Sequence, residues 1–234
     1  MNDLILLLRR IRHGRSKGAA WWQMRYYLRW KRSLEPGATS MRDRQPWLTF
    51  PAIDLLHQHA RTTQRVFEYG GGGSTLFWCD RVAEVMTVEH DAGWFKALEQ
   101  AVNGVKAKWL GMSIPSDEGD LVPAPDPAEP AHYSSADEAS KGRNYKAYAQ
   151  AINAYPDAHF DIVLIDGRSR ASCLSLSVPK LKPGGLLVLD NAERAYYTAL
   201  NSDALRVLEP ILSGMAPVPY DRDLSETRIY RKHA

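Results

Sequence analysis

The stretch of residues 66–75, Val-Phe-Glu-Tyr-Gly-Gly-Gly-Gly-Ser-Thr, constrains the fold of this 234-residue chain more than any other. A strand-like approach contains the acidic Glu68, and four glycines then lead into Ser74, which can begin a helix. Consecutive glycines let the backbone pass close to a ligand, because no Cβ intrudes and positive φ is permitted. The junction therefore predicts a nucleotide-sized pocket at the carboxyl end of a strand in an α/β protein. A tight turn without a ligand is the alternative.

The spacing of the glycines separates three kinds of nucleotide-binding loop. A P-loop requires a lysine after its last glycine, and none follows here. The dinucleotide fingerprint G-x-G-x-x-G/A fails in both registers, because its last position falls on Thr75 or Leu76. The pattern that remains is acidic-x-Gly-x-Gly-x-Ser, formed by Glu68, Gly70, Gly72 and Ser74.

This remaining pattern resembles motif I of the class I S-adenosylmethionine-dependent methyltransferases. The resemblance covers roughly residues 47–232, through the acidic end of a second strand, Asp-Gly after a fourth and Gly-Gly-Leu-Leu-Val-Leu-Asp-Asn at a fifth. It implies S-adenosylmethionine as cofactor and in-line methyl transfer at the sulfonium. The implied fold is α/β, a Rossmann-like doubly wound, mostly parallel seven-stranded sheet with an antiparallel C-terminal strand. The cofactor-binding residues that we predict are Glu68, Gly70, Gly72, Ser74, Glu89 and Asp166.

Strand and helix patterns alternate along the chain, as this fold requires. We predict helices within residues 74–80 and 94–102, and Pro51 suits the start of an earlier helix. Near-continuous aliphatic runs are typical of central strands covered on both faces, and the alternating residues 226–232 suit an antiparallel edge strand. The predicted strands are residues 66–69, 83–89, 105–112, 160–165, 184–189 and 226–232.

Charge divides the chain into two parts. Residues 1–45 hold eleven Lys/Arg and three Asp/Glu, a net charge of +8, whereas the whole chain carries +3, so the other residues sum to −5. We therefore distinguish a basic amphipathic helical arm and linker, residues 1–45 (the basic arm), from an α/β domain, residues 46–234. The arm opens with a helical stripe at spacing i, i+3, i+4, i+7, formed by Leu4, Leu7, Leu8 and Ile11.

Aromatic and basic residues interleave in the second part of the arm. The aromatic residues are Trp21, Trp22, Tyr26, Tyr27 and Trp30, and the basic residues are Arg25, Arg29, Lys31 and Arg32. Peripheral membrane contact through residues 1–32 is one prediction, with aromatics at the headgroup level. Packing over the active site or on a partner subunit, as in a homo-oligomer, is another, and nucleic acid is the least favoured partner.

Residues 113–143 interrupt the alternation between the third and fourth predicted strands. This insertion contains five of the fourteen prolines and seven acidic residues, without periodicity. Loops this long in a compact domain are usually functional or disordered. We interpret it as a lid or substrate-selecting insertion, with disorder as the alternative.

Glu89 ends the second predicted strand, nineteen residues after Gly70. An acidic residue at that place can accept two hydrogen bonds from a ribose diol, and the methyltransferase resemblance gives it the same role. Asp91 suits the N-cap of the following helix, and His90 has no assigned chemistry.

A second polar cluster follows the fourth and fifth predicted strands. Because neighbouring strand ends converge, Asp166, Asp190 and Asn191 should face one cavity, and oxygen donors of this kind suit Mg²⁺ or another divalent cation. The set resembles the metal triad of catechol and caffeoyl-CoA O-methyltransferases. However, the position of the catechol enzymes' lysine base holds Ser169, between Arg168 and Arg170. These arginines suit an anionic group on the acceptor.

The predicted activity is O-methyl transfer to a small-molecule or glycan-like acceptor, with Asp166 and Arg168 as catalytic residues. A non-catalytic methyltransferase-like binding domain and a dehydrogenase-type Rossmann protein are the alternatives. Two cysteines without metal-site spacing, and no apolar run of the roughly 18 residues that a spanning helix needs, favour a cytoplasmic location, with the membrane surface as a second site.

Overall fold

A computed structural model describes residues 3–234, so the first two residues of the basic arm lie outside the described residues. The main sheet has the order β3-β2-β1-β4-β5-β7-β6, and all its pairings are parallel except those of β7. This confirms the predicted mostly parallel seven-stranded sheet with an antiparallel C-terminal strand. Its strands are β1 (Arg65–Tyr69), β2 (Glu84–Glu89), β3 (Lys108–Ser113), β4 (Phe160–Ile165), β5 (Leu181–Leu189), β6 (Leu208–Leu212) and β7 (Arg228–Lys232).

Ten α-helices flank the sheet in the described part of the chain, none of them long and apolar enough to cross a membrane. Pro51 stands in the first turn of α4, and the Asp91 carboxylate caps α6 by accepting from the Trp94 amide at 2.8 Å, both as predicted. The helices are α1 (Asp3–Gly14), α2 (Tyr27–Ser33), α3 (Ser40–Asp43), α4 (Phe50–His59), α5 (Gly73–Cys79), α6 (Ala92–Ala101), α7 (Lys146–Gln150), α8 (Arg170–Lys180), α9 (Tyr196–Ala199) and α10 (Ser202–Leu205).

The sheet is buried on both faces, which explains the aliphatic runs of its central strands. Successive side chains of a strand point to opposite faces, so Ile162 and Leu164 join one core cluster while Val163 and Ile165 join the other. Because β1, β2, β4 and β5 run parallel, their carboxyl ends meet at one edge of the sheet, where the predicted site residues lie.

The C-terminal strand is not at the edge of the sheet, and the prediction was wrong on this point. Strand β7 lies between β5 and β6, and its consecutive residues Ile229 and Tyr230 are both buried. The edge belongs to β6, which contains Pro210. Proline lacks the amide proton of a strand ladder and is tolerated at an edge.

The basic arm contributes to the main core. Leu7 and Ile11 of α1, together with Tyr26 and Trp30, are buried in the same cluster as residues of β1 and α4. The Tyr26 ring stacks on Phe50 at 5.5 Å between centroids. The boundary at residue 45 thus separates two compositions but not two packing units, and Tyr26 and Trp30 are unavailable to a membrane surface.

Candidate functional site

Residues 70–73, the glycine loop, join β1 to α5 at the carboxyl edge of the sheet. Gly70 has φ +86°, and a Cβ there would lie 2.8 Å from the Asp166 carbonyl oxygen. A Cβ on Gly73 would overlap the carbonyl oxygen of Ser40, in the linker of the basic arm. At Gly72 the nearest neighbour of an added Cβ is the Trp94 ring, at an ordinary 3.7 Å. Close backbone packing therefore accounts for two glycines of the run.

Glu68 lies beneath the glycine loop, fully buried. Its Oε2 accepts hydrogen bonds from the hydroxyls of Thr75 at 2.5 Å and Thr87 at 3.1 Å. Thr75 Oγ1 in turn accepts from the Gly72 amide at 3.0 Å. Glu68 thus holds the loop in place through Thr75 and does not line the cavity above it, which differs from its predicted direct contact with a cofactor.

A cavity of about 280 Å³, the first cavity, opens above the glycine loop. It brings together five of the six predicted cofactor-binding residues, all except Glu68. Its walls are Ser40, Trp47, Gly70, Gly71, Gly72, Gly73, Ser74, Glu89, His90, Trp94, Asp166, Gly167, Arg168 and Arg170.

The Glu89 carboxylate is fixed at the wall of the first cavity. Its Oε2 accepts from the Gly71 amide at 3.0 Å, and its Oε1 accepts from the amides of His90 and Asp91. Burial alone would raise the pKa of Glu89, but the hydrogen bonds from His90 and the Asp91 amide outweigh it and lower the pKa. Three of its roughly four lone-pair sites accept these amides, so about one site, on Oε2, remains open to a ligand hydroxyl.

Asp166 and Asp190 converge from the ends of β4 and β5, as predicted, but a guanidinium lies against them. Arg170 Nη2 is 3.0 Å from Asp166 Oδ1, and Arg170 Nη1 is 3.8 Å from Asp190 Oδ2 and 2.5 Å from the Asp190 carbonyl oxygen. Burial, and then the neighbouring Asp190 carboxylate, raise the pKa of Asp166 well above its ordinary value, while Arg170 opposes this rise. A quarter of the Asp166 side chain remains exposed.

A second cavity, of about 260 Å³, adjoins the first. Both cavities are lined by Trp47 and Asp166, so these two residues stand at the junction. The other residues lining the second cavity are Asp190, Asn191, Val218, Asp221 and Ser225. Three carboxylates and no basic side chain line this space.

The fold of this chain is similar to that of several solved structures. An rRNA methylase from Streptococcus thermophilus aligns with a TM-score of 0.52 and 11% sequence identity, over 77% of this chain and 93% of that one. The chain has the class I methyltransferase fold. A methyltransferase-like protein from Silicibacter pomeroyi (TM-score 0.46, 20% identity, 82% and 91% of the two chains) is also similar. So is the N-methyltransferase NodS from Bradyrhizobium japonicum (TM-score 0.47, 11% identity, 83% and 97%). No protein-family model and no curated protein matches the sequence.

The methyltransferase fold implies a methyl donor, and the residues of the first cavity fit one. Glu89 presents an ionised acceptor at the end of β2, and Gly72 leaves the loop open on the cavity side. The Trp94 indole is fixed by donating its Nε1 proton to the Gly71 carbonyl at 2.7 Å, and 43% of this residue is exposed. It thus offers an aromatic wall for a base.

The residues predicted to hold a metal do not fit a divalent cation. The positive charge of Arg170 already lies beside both aspartates, and Asp190 Oδ1 accepts from the Thr227 hydroxyl at 2.7 Å. Asn191 donates its amide to Ser225 Oγ at 3.0 Å. The described residues contain no group of three or more His, Cys, Asp or Glu able to hold a metal ion. The Arg170 guanidinium supplies the positive charge beside these two aspartates.

Chelation of divalent ions tests whether Arg170, and not a metal ion, lies between the two aspartates. We expect EDTA to leave both the thermal unfolding midpoint and any methyl-transfer activity unchanged, because a cation would have to displace the Arg170 side chain, which is only 10% exposed. Differential scanning calorimetry and activity assays, with and without EDTA, measure the two quantities. A loss of either that Mg²⁺ restores would contradict the expectation.

The insertion at residues 113–143 folds onto the site through hydrogen bonds. Asp137 Oδ2 accepts from Arg168 Nη1 at 2.7 Å, and Ser135 Oγ accepts from the Ser169 amide at 2.8 Å. Arg168 Nε also donates to His90 Nε2 at 3.1 Å. The arginines are therefore already paired, Arg168 with the insertion and Arg170 with the aspartates. Their pairing does not support the predicted grip on an anionic acceptor group.

Sequence reasoning missed several residues of the site. Trp47 and Trp94 line the first cavity and are about half exposed, and Ser40 reaches it from the basic arm. Hydrophobic periodicity marks the buried face of a helix or strand, so it does not identify a half-exposed tryptophan in a site. Tyr145 and Tyr148, which follow the insertion, are buried in the core.

Proposed function

We propose that this protein transfers a methyl group from S-adenosylmethionine to a hydroxyl of a small-molecule or glycan-like acceptor. The observation that supports this proposal best is the junction at Asp166. A donor in the first cavity and an acceptor in the second would meet at this one carboxylate, which lines both. Alignment of the two reactants supplies much of the rate enhancement in such a reaction.

Donor recognition would rest on the first cavity. Glu89 would accept from a ribose hydroxyl, Gly72 and Ser74 would lie along the donor, and Trp94 would pack on the base. When bound, S-adenosylmethionine supplies an electrophilic methyl carbon on a sulfonium. The cationic sulfur suits a site whose second half is acidic.

The acceptor side follows from the second cavity. Arg170 pairs with Asp166 and Asp190, so Asp221 is the carboxylate of this lining that would repel an anionic acceptor; Asp221, Asn191 and Ser225 can hydrogen-bond hydroxyls. Asp166 would accept the hydroxyl proton as the acceptor oxygen attacks the methyl carbon and the carbon–sulfur bond breaks. Its raised pKa makes it a better base than an ordinary aspartate. Arg168 would act by holding the insertion over the junction.

Calorimetric titration separates this function from the two alternatives. We expect S-adenosylmethionine to bind and NAD not to bind, and tritiated methyl groups to appear in a hydroxylated acceptor. Donor binding without transfer to any acceptor of a broad hydroxylated panel would favour the non-catalytic domain. NAD binding without donor binding would indicate a dehydrogenase-type protein.

Replacement of Glu89 tests the donor site. We expect Glu89→Ala to weaken S-adenosylmethionine binding by about 1.5–3 kcal/mol, the contribution of a hydrogen bond to a charged group. Isothermal titration calorimetry measures the change, and Glu99→Ala, on an exposed position of α6, is the matched control. Unchanged affinity in Glu89→Ala would remove Glu89 from the binding site.

A further inference from the structure

The helical segment of residues 21–33 has one buried and one exposed face. Buried side chains anchor it to the core at Gln23, Tyr26, Trp30 and Ser33. Exposed residues recur every three or four positions, so they lie on one side of the segment. We name this side the exposed stripe: Trp21, Trp22, Arg25, Leu28, Lys31 and Arg32.

The exposed stripe combines large apolar side chains with positive charge. Trp21, Trp22 and Leu28 are 47%, 51% and 65% exposed. The Arg25 guanidinium stacks 4.7 Å from the Trp22 ring centroid. Among the described residues, Lys31 and Arg32 form no salt bridge with an acidic partner. Residues 4–34 contain nine Lys/Arg and no Asp/Glu.

We infer that the exposed stripe binds an anionic membrane surface. Tryptophan and leucine favour the headgroup–acyl boundary, and cations beside them attract anionic lipids. A nucleic acid would leave Leu28 without a stacking partner, and an apolar protein surface would bury the cations at a cost. The rest of the chain sums to −5, so an anionic surface attracts this side of the molecule and repels the other. The inference does not depend on the proposed methyl transfer.

The exposed stripe is also connected along the chain to the first cavity. The linker that follows α2 contains α3, whose Ser40 lines the first cavity together with Trp47, just beyond the linker. The exposed stripe is therefore continuous in the chain with one wall of the donor site.

Vesicle co-sedimentation of the full chain tests the inference. We expect the protein to sediment with phosphatidylcholine vesicles that contain phosphatidylglycerol, and less with phosphatidylcholine alone. Lys31→Gln/Arg32→Gln should weaken partitioning roughly 30-fold, since each cation near an anionic surface contributes about fivefold. Trp22→Ser/Leu28→Ser should also weaken partitioning. This loss should persist at low salt, because the variant removes apolar contacts and leaves the charges in place. Lys96→Gln/Lys106→Gln removes two exposed charges outside the arm and should leave partitioning nearly unchanged.

Three outcomes would overturn the inference. These are partitioning that does not depend on anionic lipid, partitioning that both arm variants retain, and binding to polyuridylic acid but not to vesicles. Circular dichroism of each variant verifies the fold. Because the substituted side chains are exposed, we expect folded variants.

Discussion

Asp166→Asn should lower the turnover of methyl transfer by about 10²- to 10⁴-fold, the usual contribution of a positioned general base. Asparagine keeps the shape of the side chain but cannot take the acceptor's proton. Donor affinity should change much less than turnover, because the substitution leaves Glu89 and the glycine loop, which would hold the donor, unchanged. Steady-state kinetics and donor titration on the same preparation measure the two effects.

The pH dependence of methyl transfer by the wild-type protein provides a second measurement of this proposed role. A base must be deprotonated to act, and burial raises the pKa of Asp166 above its ordinary value. Activity should therefore fall, as the pH is lowered, at a higher pH than an ordinary aspartate would give. Asp221→Asn, the same change across the second cavity, is the matched control and should mainly affect KM of the acceptor. Full turnover in Asp166→Asn would exclude Asp166 as the base.

Glu68→Gln should make the protein more stable than wild type at alkaline pH, although it removes a buried carboxylate. Burial raises the pKa of Glu68 from 4.5 to about 7, and hydrogen bonds from Ser74, Thr75 and Thr87 only partly oppose it. Between these two pH values the folded protein keeps a proton that the unfolded chain releases. The stability linked to Glu68 is thus present below pH 4.5 and lost as the pH rises through about 7.

The size of this effect follows from the shift. The pKa of Glu68 is about 2.5 higher in the folded protein than in the unfolded chain. This difference corresponds to roughly 3 kcal/mol, since each pKa unit is worth about 1.36 kcal/mol. The free energy of unfolding of Glu68→Gln, minus that of wild type, should therefore increase by about this amount between pH 4.5 and pH 8. Guanidinium unfolding at several pH values measures the difference, and Glu99→Gln controls for the substitution. A difference that does not change with pH would show that Glu68 titrates alike in both states.

Much of the fold could be predicted because it depends on local sequence. Aliphatic runs indicated β4 to the residue, and the glycines located the start of α5 within one position. Strand β6 was missed, because Leu208–Leu212 is short, half exposed and contains Pro210. Strand β7 was recognised but misplaced, since alternation does not reveal how many neighbours a strand has.

Some features of the candidate site could likewise be predicted from the sequence, and others could not. The residues predicted to bind a cofactor, except Glu68, line one cavity, because strand ends and a glycine loop bring them together in a sheet of this kind; their role in binding stays a prediction. The pairing of Arg170 with Asp166 and Asp190 could not, because it depends on how α8 leaves β4. The membrane and oligomer assignments and the cytoplasmic location stay predictions.

The sequence by itself determined that an acidic strand end and four glycines form the edge of an α/β sheet, because glycine spacing and aliphatic periodicity act over a few residues. Only the tertiary structure decided what those glycines serve. The linker carbonyl at Ser40 packs on Gly73 and Asp166 packs on Gly70, whereas an added Cβ at Gly72 would meet nothing closer than the Trp94 ring at 3.7 Å. Likewise, only tertiary packing turned the aspartate cluster from an expected metal site into an ion-paired junction between two cavities. Contacts between distant segments set local charge and free space, and no local pattern records them.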